Sequence, residues 1–219
     1  MLDIDSLMAG LAARRPIFHS EFDFQHALAW QIHETCPDSD LRLEREQFSP
    51  GMAERMATDI WIRLPDAVVA IELKYTNRAL QIEWDDEVFA LRDHGAQPPR
   101  RYDSIKDIQR LEQALRLPYP ADYGFAVLLT NNQTYWTPPR QNNVIDAAFR
   151  IHDGQTVGSG ELRWGENASA NTIKGREEPI YLTNSYNLRW QEYSSFGDKP
   201  GETFRYLAVA VPPMKEISP

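Results

Sequence analysis

The sequence predicts a mixed α/β protein: a helix, three strands, a second helix and a fourth strand, followed by further β-structure. Three observations carry this. Residues 41–75 break into short alternating or apolar runs separated by turn signals. Residues 103–116 place apolar side chains at helical spacing, and "YGFAVLLTN", 123–131, is a short continuous apolar run.

Taken in order, residues 3–14, "DIDSLMAGLAAR", combine good helix formers with helical apolar spacing, and Pro16 stops that helix. The next helix starts at Ser20, whose hydroxyl can cap it, and Glu21 and Asp23 suit the positive end of its dipole. Phe24, Ala27, Leu28 and Ile32 form its apolar face, and it ends before the turn cluster "CPDSD". Residues 41–48, 57–64 and 67–75 read as strands. The stretch 76–101 is polar and suits a loop or lid carrying a short strand or helix. Residues 103–116 form an amphipathic helix with Ile105, Ile108, Leu111 and Leu115 on one face. The run 123–131 suits a central strand covered on both faces. After Thr137, Pro and Asn turns precede "GELRWG", "YNLRWQEY" and "FRYLAVAV", β-structure that extends the same sheet or makes a small second one. The 219 residues thus read as a single domain, with a core at about 18–131 and a β-rich C-terminal extension at about 132–219.

An apolar fraction of 42% and a charged fraction of 25% are those of a soluble globular protein. No run of about 18 apolar residues suggests a membrane span, and the N-terminus lacks the features of a secretory signal, so the expected location is cytoplasmic. The single Cys36 rules out an internal disulfide and a cysteine-based zinc cage. A net charge of −9 argues against a protein that coats DNA non-specifically, because phosphate neutralisation dominates such binding; a local basic groove stays compatible with it.

"TDIWIRLPDAVVAIELKY", 58–75, is a hairpin with charges where apolar residues belong. With the turn at Pro65 and Asp66, Leu64 faces Ala67, Ile62 faces Val69 and Asp59 faces Glu72. Directly opposed side chains have Cβ atoms roughly 4.5–5.5 Å apart, where like charges repel. Period-two alternation puts Glu72 and Lys74 on one face and Val69, Ile71 and Leu73 on the other. Asp59, Glu72 and Lys74 therefore converge. A divalent cation relieves the repulsion, and two carboxylates with open water positions suit Mg²⁺. The plainer reading is an ion pair of Lys74 with Glu72 or Asp59 on a solvated face.

Asp59, Glu72-Leu73-Lys74 and a preceding helix bearing Glu21 resemble the PD-(D/E)xK nuclease superfamily, the restriction-endonuclease-like fold. The resemblance covers about residues 18–131 and implies an α-β-β-β-α-β mixed sheet flanked by helices. It implies that Asp59, Glu72 and the backbone carbonyl of Leu73 bind Mg²⁺, with Mn²⁺ as substitute. It implies too that Glu21 contacts the metal directly or through water, and that Lys74 positions the attacking water and the scissile phosphate. Thr58 stands where the motif's proline often precedes the aspartate. The implied activity is metal-dependent hydrolysis of DNA, with RNA also open, in a prokaryotic defence or repair setting; a homodimer is one arrangement for cutting both strands. A catalytically weak or inactive nuclease fold that binds nucleic acid or protein is the alternative. A hairpin that pairs with a partner chain is a third reading.

Gln25 shares a helix face with Glu21 and can reach a metal-bound water or a phosphate, or stay an exposed polar residue. Lys106 and Arg110 share a face of the second core helix and can meet a phosphate backbone or solvent; Lys106 is also spaced to pair with Asp103. His26 and His33 lack metal-site spacing, and no phosphate-binding glycine motif occurs. The C-terminal aromatics, Tyr135, Trp136, Trp164, Tyr186, Trp190, Tyr193 and Phe196, suit a sheet core more than a base-stacking groove.

Overall fold

A computed structural model describes residues 1–47, 56–141 and 144–213. Phe48, at the end of the first expected strand, lies outside them. In chain order the elements are α1 (Ile4–Arg14), α2 (Glu21–Thr35), β1 (Asp40–Gln47), β2 (Met56–Arg63), β3 (Val68–Thr76), β4 (Leu80–Trp84), β5 (Glu87–Leu91), α3 (Gln97–Ala114) and β6 (Tyr123–Thr130). There follow β7 (Thr156–Val157), β8 (Gly160–Leu162), α4 (Ala170–Ile173), β9 (Ile180–Leu182), β10 (Tyr186–Asn187), β11 (Trp190–Ser195) and β12 (Thr203–Val211).

The local signals act as their chemistry requires. The Asp3 carboxylate caps α1 by accepting from the amide of Ser6, and the Ser20 hydroxyl caps α2 by accepting from the amide of Asp23. All eight residues of β6 are buried, the pattern of a strand covered on both faces.

Six strands form one mixed sheet in the order β1-β2-β3-β6-β12-β11. β3 and β6 run parallel, joined through α3, and the other neighbours are antiparallel. β11 and β12 thus extend the main sheet, while β7 with β10 and β8 with β9 make small two-stranded pairs. On one face α1 and α2 pack Met8, Leu11, Phe24 and Leu28 against Ile60, Ile62, Ile71 and Leu73. On the other, α3 and the C-terminal loops pack Ile105, Ile108 and Leu111 against Trp61, Ala70, Ala126 and Leu128. Among the described residues, no helix is long and apolar enough to cross a membrane.

Two stretches differ from the sequence reading. Residues 80–91 form a β4–β5 hairpin, whose turn residues Asp85 and Asp86 both take positive φ (51° and 60°), as a type I′ turn requires. α3 begins at Gln97, with proline in its first turn, where the missing amide hydrogens cost nothing. The polar residues before 103 carry no apolar face, so helical spacing becomes visible only from 103.

Candidate functional site

The β2–β3 ladder runs from Arg63 opposite Val68 to Ile60 opposite Ile71, the register read from the sequence, with the Leu64 amide donating to the carbonyl of Ala67 across the turn. Beyond Ile60 the two strands part, while β3 stays paired to β6 as far as Thr76. Parting leaves the β3 amides that face β2 without strand partners, and buried amides must be satisfied somehow. Side chains do it here. Asp59 Oδ2 accepts from the Leu73 amide at 2.5 Å, and Glu21 Oε2 accepts from the Tyr75 amide at 2.7 Å. Two acids from β2 and α2 are thereby drawn to the mouth of the fork.

Glu72 and Lys74 project to the α3 side, opposite the core residues Ile71 and Leu73. Glu72 is 2% exposed; its Oε1 lies 3.4 Å from Arg110, and among the described residues its buried Oε2 has no hydrogen-bond partner. Lys74 donates to the carbonyl of Leu73 at 3.0 Å and forms an ion pair with Asp107 of α3 at 3.0 Å. Arg110 also donates to the carbonyl of Ala57 and lies 3.8 Å from Asp107. The plain pairing of Lys74 with Glu72 or Asp59 is therefore replaced by pairing with Asp107.

Burial sets the electrostatics. It raises the Glu72 carboxyl most, and the negative charge of Asp107 adds to the rise against the pull of Arg110. Burial also raises Asp107, opposed by Lys74 and Arg110. Asp59 is raised by burial against its bond from Leu73 and the charge of Lys74. Glu21 is an exposed residue, but its carboxylate turns inward among protein atoms, and that desolvation raises it against the charge of Lys74. For Lys74, burial works against the ammonium, yet Asp107 and Glu21 outweigh it and hold the lysine charged.

Gln25 is buried, and its amide donates to the Asp59 carbonyl and to Glu44, both at 2.7 Å. It braces the backbone that carries Asp59. Glu44 sits on β1 at positive φ (49°), and its charge adds to the rise at Asp59. Of the α3 pair, Arg110 joins the cluster, whereas half-buried Lys106 donates to Gln109; Asp103 pairs with Arg176 instead of Lys106. A solvated face for Arg110 is corrected by its contacts with Glu72 and Ala57.

Sequence reasoning missed Asp107 and Glu44. Asp107 had a signal: it precedes Ile108 and lies one turn before Leu111, so helical spacing turns it toward the sheet. Glu44 had none, because its position depends on an irregularity in β1. Tyr135, Tyr186, Trp190 and Tyr193 are buried in the packing, which removes them as a base-stacking platform.

The donors gathered at the fork, three carboxylates and the Leu73 carbonyl, are hard oxygens of the kind Mg²⁺ takes. The unpartnered Oε2 of Glu72 is the atom in this set that most needs a positive neighbour. Among the described residues, however, no group of three or more His, Cys, Asp or Glu is drawn together closely enough to hold an ion unaided. Compared with known proteins, the chain matches no family model and no curated protein.

Proposed function

We propose that this protein is a metal-dependent nuclease of the restriction-endonuclease-like kind that hydrolyses phosphodiester bonds in DNA. The observation that carries the reading is the parting of β2 and β3. It sets Asp59 and Glu21 on the freed amides of Leu73 and Tyr75, beside Glu72 and Lys74 on the same strand, and among the described residues a buried Glu72 oxygen stays without a hydrogen-bond partner. The order α2, β1, β2, β3, α3, β6 and the parallel β3–β6 pair support the corresponding fold.

Asp59, Glu72, Glu21 and the Leu73 carbonyl would hold Mg²⁺ or Mn²⁺. Such a metal, when bound, supplies a water of lowered pKa and a Lewis acid for the phosphoryl oxygens. Lys74, kept charged by Asp107, can donate to a phosphate oxygen or orient the attacking water. Arg110 offsets part of the Glu72 charge, and Gln25 fixes the strand that presents Asp59.

The test pairs the protein with its Glu72→Ala variant on plasmid and single-stranded DNA, in Mg²⁺, Mn²⁺ or EDTA. Cutting that needs metal and falls at least about 10²-fold in the variant is the expected result. Cutting that persists in EDTA or in Glu72→Ala would refute the assignment.

A second reading, a nuclease fold that binds without cutting, is favoured by the internal charge compensation. Lys74 is engaged by Asp107 and Arg110 faces Glu72, so the cluster holds together on its own. Mn²⁺ binding seen by calorimetry in the parent and lost in Glu72→Ala, with no DNA or RNA cut, would select it.

A further inference from the structure

Three arginines stand around one tryptophan on the β1–β2 side of the sheet. Trp61 is buried, and period-two alternation places it on the same face of β2 as Asp59 and Arg63. The Arg45 guanidinium lies over its ring, 4.0 Å from the centroid, and Arg42 is its cross-strand partner. With Asp40 and Leu43 these residues line a cleft of about 240 Å³.

The charges in the cleft do not balance. Asp40 is engaged by Arg42. Among the described residues, neither Arg45 nor Arg63 has an acidic ion-pair partner. Their proximity is costly: after burial, the charge of Arg63 is what lowers the Arg45 pKa from its ordinary value. Asp40 also stands opposite Arg63 across the strands, but with its carboxylate on Arg42 the cleft holds three guanidinium groups against one acid, and in a chain of net charge −9 that local excess forms a site for an anion. Phosphate oxygens suit them, because a guanidinium fork bonds two oxygens at once.

The shape selects among anions. Arg42 and Arg63 are exposed and Arg45 is half-buried, so the cleft opens along the surface and offers no enclosed pocket for a small molecule. Arg45 covers the Trp61 ring, which blocks base stacking and leaves contact with the backbone alone. Asp59 and Arg63 are four residues apart on one strand, roughly 13 Å. That is about four nucleotide steps at the axial rise of duplex DNA.

We propose that the Arg42–Arg45–Arg63 cleft grips the phosphate backbone of DNA on one side of the fork. Its position relative to the cutting site rests on the nuclease reading, whereas the grip itself does not. The contact is sequence-neutral and adds affinity that the acidic remainder of the surface opposes.

The experiment measures fluorescence anisotropy of a labelled 20-base-pair duplex, and of the corresponding single strand, with the whole chain in EDTA. Arg63 is exposed and, among the described residues, has no ion-pair partner, so Arg63→Glu can be made without unpairing a buried group. Arg63→Glu is expected to weaken binding about tenfold or more, Arg63→Lys to weaken it less because it keeps the charge but loses the two-pronged fork, and Arg63→Ala to reduce the salt slope by about 1. Unchanged affinity and slope in Arg63→Glu, or no binding by the parent to either DNA, would overturn the proposal. Binding that depends on Arg63, without cutting in any metal, would keep the grip and remove the nuclease reading. Cutting that depends on Glu72, with binding indifferent to Arg63, would do the reverse.

Discussion

Lys74 is held by two partners of different kinds, the carbonyl of its own neighbour Leu73 and the carboxylate of Asp107. The lysine side chain is 26% exposed and that of Asp107 only 6%, so removing the lysine strands a buried acid. Breaking a fully buried pair costs about 3–5 kcal/mol; partial exposure of Lys74 and the nearby Arg110 lower this to about 1–3 kcal/mol. On the nuclease reading Lys74→Met should lose cleavage, and the stranded acid means that it should lose stability as well, a loss for which the sequence alone offers no reason. Adding Asp107→Asn should recover most of the stability while leaving cleavage absent. Denaturant melts and a plasmid assay on the four proteins of this cycle check it. Additive stability losses, or cleavage restored in the double variant, would show that Asp107 does not hold Lys74. Glu72 and Lys74 were legible on one face because strand alternation converts spacing into facing, whereas the expected pairing of Asp59 with Glu72 is not formed: the strands part after Ile60, and Asp59 accepts from the Leu73 amide instead. Asp107 was harder to see, because an acid beside an apolar helix ridge reads equally well as its solvated margin.

α3 brings Asp107 and Arg110 to the sheet, and its seat on β6 is unusually tight. A Cβ on Gly124 would come within 2.8 Å of the Ala70 carbonyl oxygen and 2.9 Å of Leu111 Cδ2. The first neighbour is backbone of the adjoining strand and the second a core leucine of α3, so neither yields freely. Gly124→Ala should push α3 off the sheet and cost about 1–3 kcal/mol, as overpacking does. A thermal melt checks the cost: a midpoint equal to or above the parent's would mean that the seat has room. The helix itself was legible from Ile105, Ile108 and Leu111, and the closeness was not. Glycine in a strand signals close approach in general, but only the parallel pairing of β3 with β6 says which backbone it meets. The β4–β5 hairpin was hidden for a related reason. An Asp-Asp turn can adopt positive φ, yet it lacks the glycine that makes such turns stand out.

The sheet is completed by chain that lies far from the fork in sequence. β12 covers the open edge of β6, and β11 adds outside it. Asp5 of α1 accepts from Gln191 and Tyr206, so the first helix is tied to the last two strands. Alternation announced these strands but not their partners, because several sheet edges can satisfy one amphipathic run. The packing of α2 and α3 on the β2–β3 fork buries the acids there, and its cost shows in the pH dependence of the whole molecule. Glu72, Asp107, Asp59 and Glu21 all have raised pKa values, burial being the first cause in each case. Above the ordinary carboxylate range the folded chain then holds more protons than the unfolded chain, so stability falls as pH rises. Glu72 is raised far enough for its titration to continue above neutrality. His94 and His152 are lowered, chiefly by burial, and act in the opposite sense, but only up to the ordinary histidine range near 6.5. The raised Lys74 keeps its contribution until pH passes 10.5. Between pH 7 and 9 the buried acids act without that opposition, and in EDTA the thermal midpoint should fall by about 3–6 °C, the equivalent of roughly 1–2 kcal/mol. Glu72→Gln removes the main titrating group at nearly constant shape and should flatten the fall. Midpoints that stay level in the parent, or fall equally in both proteins, would show that Glu72 is not the strained acid at the centre of the fork.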